Sequence, residues 1–265
     1  MAAFGYACKR VSKLYAAMQR KFIRNLLLLL LLNLLIKPFW ILGIDRTVQN
    51  TVGASEYGFY FAIFNFSFLF NILLDFGITN FNNRNIAQNN QLLRKHLSNL
   101  LVLKILLFGV YLLVTFAGAL IISYSREQIE LLVLLAVNQF LISMVLYLRS
   151  NLGALHLFRT DSLISVFDKV LMIILCSLLL WGNITQHFKI QYYVYAQTLA
   201  YMVTAITTLI IVLHKAGHRL FRLNWNFPFL LIIMRQSFPF AILVLLMTFY
   251  NRIDSVMLER LLPQG

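Results

Sequence analysis

Charge is scarce in this chain. Asp, Glu, Lys and Arg make up only 12% of its 265 residues, and just nine residues are acidic. Soluble domains carry about 25% charged residues. The chain is also 60% apolar, more than a water-soluble core can hide, so most of that surface must face lipid. A mean hydropathy of +0.78 agrees. Cysteine is nearly absent too. Cys8 lies in a basic tail and Cys176 in an apolar run, which excludes a disulfide framework and a cysteine metal site. There is no His/Cys/Asp/Glu cluster, no P-loop and no Gly-x-Ser-x-Gly, so enzyme chemistry is not expected, nor a metal or cofactor. The sequon Asn183-Ile184-Thr185 has meaning only in a eukaryotic secretory protein.

Long apolar runs are what the sequence has. Seven stretches, near 22–44, 57–78, 99–122, 129–149, 163–182, 191–213 and 237–258, are long enough to span a bilayer, which needs about 20 helical residues. Lipid offers the backbone no partner, so spans of this kind are helical. The fold class is therefore all-α, a polytopic helical membrane bundle. The first span opens with seven leucines, Leu26 to Leu32, and continues through Pro38, Phe39 and Trp40 without a small-residue cleavage site. It reads as a retained helix and not a signal peptide.

The net charge of +14 suggests nucleic acid until the charges are placed. Lys and Arg divide 15 to 5 between the side of the N-terminal tail and the opposite side. That asymmetry predicts a cytoplasmic N-terminus and a seventh span ending outside, with contacts to anionic lipid and not to nucleic acid. Four regions follow: a basic tail over 1–21, a six-helix lobe over 22–213, a cytoplasmic amphipathic linker over 214–236 anchored by Trp225, and the seventh span over 237–265. The stretch "NFNNRNIAQNNQLLRKHLSN" reads as an Asn-rich basic loop.

Ionisable side chains inside a span are costly and usually face a polar cavity. Here they are Lys37, Asp75, Lys104, Asp168, Lys169, Arg252 and Asp254. Asn33 and Lys37 share a face beside Pro38, where a bend is expected. Lys37 either faces a cavity or snorkels to headgroups. Asn71 and Asp75 share a face of the second span. Asp75 either pairs with Lys104 near the interface or serves as a coupling carboxylate. Asp168 and Lys169 are adjacent and point about 100° apart, which predicts that they do not simply neutralise one another. Gln139, Ser143, Tyr147 and Ser150 form one polar stripe, and Gln197, Tyr201, Thr204 and Thr208 another. Such stripes suit helix–helix hydrogen bonds and equally a wet lumen. Arg252 either snorkels or, with Lys37 and Lys169 in a common interior, holds an anion.

Two stretches carry a family resemblance. "VGASEYGFYFAIFNFSFLFNILLDFGITNFNNRNIAQ" has a Gly-x-x-x-Tyr-Gly entry at Gly53, Tyr57 and Gly58, an Asp-Phe-Gly exit at Asp75 to Gly77, and a basic Asn/Arg segment. "FPFAILVLLMTFYNRIDSVMLERLLPQG" supplies Tyr250, Arg252, Asp254 and Met257. Both resemble bacterial polysaccharide flippases of the multidrug/oligosaccharidyl-lipid/polysaccharide exporter superfamily. The resemblance implies two facing six-helix lobes, of which this chain covers the N-terminal one and the first helix of the next. Ile-Asp recurs at 44–45 and 253–254, as an internal repeat would have it. A seventh span without its lobe is expected to diverge from the other six.

The resemblance further implies a bacterial inner-membrane protein that moves a polyprenyl-diphosphate-linked oligosaccharide to the outer leaflet by alternating access. Its partners would be that lipid-linked oligosaccharide, membrane lipids and other polysaccharide-assembly membrane proteins. Lys37, Lys169 and Arg252 would offset phosphate charge. Asn33, Asn71, Gln139 and Gln197 would bind sugar hydroxyls, and Asp75, Asp168 and Asp254 would couple transport to a proton or cation. The competing readings are a multidrug/cation antiporter, a peptidoglycan lipid-intermediate flippase, a membrane glycosyltransferase and a non-transporting membrane fragment.

Overall fold

The chain solves the lipid problem by keeping its backbone hydrogen bonds inside helices. The computed structural model describes residues 23–89, 91–182, 188–216 and 227–261. Among these residues 92% are helical, with no strand.

Helix α1 covers Ile23–Val52. Pro38 has no N–H to give the carbonyl four residues back, and just beyond it the helix widens into a π segment, Trp40–Asp45. The irregularity expected at the proline thus takes the form of a locally unwound turn.

The second crossing is broken. Helix α2, Ala54–Leu69, gives way to the single turn α3, Ile72–Asp75, and then to α4, Ile78–Gln88. The two halves are bent by 44°. Phe76 and Gly77 separate α3 from α4 with left-handed φ values of 47° and 75°. The Asn-rich stretch is accordingly helical where a loop was expected. Ile78, Asn82 and Ile86 recur every four residues and are all buried, which gives the segment a face to pack. Asn82 Nδ2 donates to Asn151 Oδ1 at 2.8 Å.

Four long helices follow: α5 Leu92–Ile121, α6 Arg126–Ala154, α7 Phe158–Trp181 and α8 Ile190–Ala216. Ser125 starts α6 with a capping box, its hydroxyl accepting from the Gln128 amide while the Gln128 side chain accepts from the Ser125 N–H. Helix α6 is the central element and packs against α2, α4, α7 and α8. Its apolar residues join two layers. One holds Ile44, Val48, Ile63, Leu132, Leu135 and Val194. The other holds Ile78, Ile86, Leu97, Leu100, Leu148 and Val212. By contrast, the leucines in the first half of α1 face outward, with Leu34 76% exposed.

The last helix departs from expectation in two ways. Helix α9 runs from Phe227 to Leu261, so residues from 227 onward belong to it and not to a separate linker that ends at 236. Residues 217–226, with Trp225, lie outside those described. Among the described residues, five helices, or six with the broken pair, are long and apolar enough to cross a membrane, and α9 adds the shorter apolar stretch Leu231–Met247. Nor does α9 diverge. Ile233, Ser237 and Ala241 form a buried stripe against the broken crossing. The reason is Gly77: a Cβ there would come within 2.7 Å of the Ser237 carbonyl oxygen. A side-chain-free residue lets the two backbones close up. Elsewhere on α9, Leu246 is 65% and Tyr250 83% exposed.

Candidate functional site

Two polar clusters hold charged side chains, one at the break in the second crossing and one at the π segment of α1. The first forms around the break in the second crossing. Lys104 on α5 is 1% exposed, and its Nζ lies 2.7 Å from Asp75 Oδ1. It also donates to Ser143 Oγ at 2.8 Å, to the Leu74 carbonyl at 3.3 Å and to the Ser143 carbonyl at 3.4 Å. The Tyr147 ring lies 5.6 Å away. Asp75 in turn accepts from the Thr79 N–H at 3.2 Å and from the Thr79 hydroxyl. Asp75 therefore works on both sides of the break: it neutralises the buried ammonium and caps the start of α4. The possible pairing of Asp75 with Lys104 is present.

Beside this pair lies a pocket of about 320 Å³, lined by Phe68, Asn71, Ile72, Asp75, Thr79, Asn80, Ser143, Leu146 and Val244. All three parts of the broken crossing's turn region contribute, together with α6 and α9. Gln139, two turns of stripe-spacing from Tyr147, is 1% exposed, and neither end of its amide has a partner among the described residues. It is enclosed among the helices and does not line this pocket.

The second cluster surrounds the π segment. Asp45 accepts from Tyr57 Oη at 2.9 Å and from Tyr193 Oη at 2.6 Å. Tyr193 stacks on Trp40 with centroids 6.1 Å apart and meets Tyr60 edge-on at 5.5 Å. Gln197 Nε2 donates to Tyr60 Oη at 3.0 Å. Lys169 lies over both Trp40, at 5.7 Å, and Tyr201, at 5.3 Å, an arrangement that favours a cation. Its Nζ is also 3.3 Å from Asp168 Oδ2. That corrects the expectation that these neighbours would not neutralise each other. The Cα–Cβ directions diverge, but the four-carbon lysine stem curls back to reach the carboxylate.

Other expected site residues are placed as follows. Asn33 is half-buried and donates to Ser165 Oγ at 3.2 Å, tying α1 to α7. Lys37, one turn on, is exposed and has no ion-pair partner among the described residues. Arg252 and Asp254 belong to α9, but their side chains lie outside those described. A common interior for Lys37, Lys169 and Arg252 is thus seen only for Lys169, which lies in the aromatic cluster.

Asp45, Tyr57, Tyr60 and Tyr193 were not among the expected site residues. The signals were faint: Tyr57 stood within the Gly-x-x-x-Tyr-Gly entry and Asp45 within the Ile-Asp repeat, but neither sat mid-span. A larger depression of about 830 Å³ at the same end is lined by Glu56, Glu127 and Glu130 among others. Its carboxylates make it a poor seat for phosphate. No group of three or more His, Cys, Asp or Glu that could hold a metal occurs among the described residues.

Helices long and apolar enough to cross a membrane, with paired charges and polar clusters among them, define a polytopic membrane protein. Comparison places it further. The family described as polysaccharide biosynthesis protein matches residues 22–265, and the chain belongs to that family. No curated protein and no solved structure matches it.

Proposed function

We propose that the protein translocates a polyprenyl-diphosphate-linked oligosaccharide from the cytoplasmic to the outer leaflet of a bacterial inner membrane, with a cytoplasmic N-terminus. The reading rests on family membership across 22–265. Its physical support is the polar pocket formed where the second crossing breaks against α6 and α9. The lipid tail stays in the bilayer while the head group passes along the lobe. No bond is made or broken, so no catalytic residue is required.

The charge pattern refines the roles. Lys104 and Lys169 are already paired with Asp75 and Asp168, so holding the diphosphate falls to Lys37 and Arg252. The same pairing weighs against a multidrug/cation antiporter, because two of the in-span carboxylates are neutralised. Asp254 stays the coupling candidate among the expected acids, joined by Asp45, which two tyrosines hold with no cation among the described residues.

The test is binding by the full chain in nanodiscs, followed by native mass spectrometry. A polyprenyl-diphosphate oligosaccharide is expected to bind, and polyprenyl monophosphate without sugar to bind at least tenfold more weakly. Lys37→Ala should weaken the first ligand. Equal binding of both lipids would overturn the reading.

A further inference from the structure

We propose that the pocket between the broken crossing, α6 and α9 is a subsite for an uncharged sugar ring, and that it excludes the diphosphate. The proposal rests on the transport reading above and says which part of the substrate this site takes.

The first argument is charge. Lys104, the cation paired with the pocket's Asp75, is 1% exposed. Its ammonium is taken up by Asp75, Ser143 Oγ and two carbonyls. An incoming phosphate could recruit it only by dismantling the turn before α4. A metal cation fares no better, because Asp75 Oδ1 faces Lys104 and the Thr79 hydroxyl while Oδ2 faces the Thr79 N–H. The pocket is polar with no net charge to offer.

The second argument is what remains free. Asn71 and Asn80 line the pocket, and their side-chain amides have no hydrogen-bond partner among the described residues. An amide offers two donors and an acceptor, and a sugar hydroxyl is both donor and acceptor, so the two match. The lining also has apolar members, Phe68, Ile72, Leu146 and Val244. A pyranose has that same split, hydroxyls at its rim and C–H bonds across its face. A volume of about 320 Å³ is at the small end of ligand sites and suits one or two rings rather than a long glycan. With the N-terminus inside, the pocket lies in the cytoplasmic half, where the head group would load.

Saturation-transfer NMR on the full chain in phosphatidylcholine nanodiscs tests this, with N-acetylglucosamine and maltose as probes and inorganic pyrophosphate as competitor. We expect transfer to the ring protons of at least one sugar. Asn71→Ala and Asn80→Ala should each reduce it at least fivefold, whereas pyrophosphate should leave it unchanged. Val244→Trp fills the pocket from the α9 side and should abolish transfer, which covers the case of an asparagine variant that misfolds. No transfer in the folded wild-type chain would mean a pocket that holds only water. Transfer that survives Val244→Trp, or that pyrophosphate displaces, would also overturn the proposal. Loss of lipid-linked oligosaccharide binding with free-sugar binding intact would instead count against the transport reading.

Discussion

Replacing Asp75 by asparagine preserves the shape of the side chain and leaves Thr79 an acceptor, but it leaves Lys104 charged and 1% exposed. Removing one partner of a buried pair costs about 3–5 kcal/mol. Asp75 itself is 27% exposed, and Lys104 keeps Ser143 Oγ at 2.8 Å, so the lower end, about 3 kcal/mol, applies. At about 2–4 °C per kcal/mol for a chain of this size, the melting temperature should fall by about 6–12 °C. Cys176 provides the reporter, because its thiol is buried and reacts with a maleimide dye only on unfolding. The assay is best run in a Cys8→Ser background. The double variant Asp75→Asn with Lys104→Met removes both charges and should recover most of the loss, since neutral replacements of buried pairs are often tolerated. A single-variant shift below about 2 °C, or a double variant as unstable as the two singles combined, would refute the buried-pair account.

Three further outcomes follow from the packing. Gly77→Ala should lower the melting temperature and raise dye labelling of Ser237→Cys, because a Cβ would meet the Ser237 carbonyl at 2.7 Å and the residue sits at φ +75°; unchanged labelling would show that α9 does not dock there. Asp45→Ala leaves the hydroxyls of Tyr57 and the buried Tyr193 without their acceptor, at about 1–3 kcal/mol for a buried group, so it should destabilise the Cys176-protected state more than Tyr57→Phe does. In intact cells Thr51→Cys should label from outside and Asn89→Cys only after permeabilisation; labelling of Asn89→Cys in intact cells would invert the proposed orientation.

Helices were legible from the sequence because apolar length and lipid physics leave few choices. The irregularity at Pro38 was legible too, but the break in the second crossing was not. Asp-Phe-Gly was visible as a motif, but nothing local says that Phe76 takes a positive φ or that the chain resumes as α4. Tertiary packing decides that, through the buried stripe of Ile78, Asn82 and Ile86. The course of α9 was missed for a related reason. Its docking depends on the lack of a side chain at Gly77, some 160 residues earlier in sequence than Ser237, and periodicity within α9 carries no trace of that. In the site, Asp75 and Lys104 stood out because each was a charge in an apolar span. Asp45 did not, because it looked like an ordinary charge at a helix end, while its tyrosine partners come from α2 and α8.

The pairing of the interior charges also bears on how a lobe of this kind could handle a diphosphate. A lysine in the bilayer interior is held at acceptable cost only if something neutralises it, and the lobe does this for Lys104 and Lys169 with its own carboxylates. Paired cations make poor anion receptors, because a phosphate must first displace the internal partner. Lys37 differs: it is exposed, one turn from the Asn33–Ser165 contact that fixes α1 on α7. It has no ion-pair partner among the described residues, so its charge stays available. Substituting Lys37 should therefore weaken diphosphate binding without a stability change. Substituting Lys104 or Lys169 should do the reverse, disturbing the fold and leaving the phosphate contact in place. The opposite pattern, measured by lipid binding and Cys176 protection on the same samples, would return the anion site to the interior.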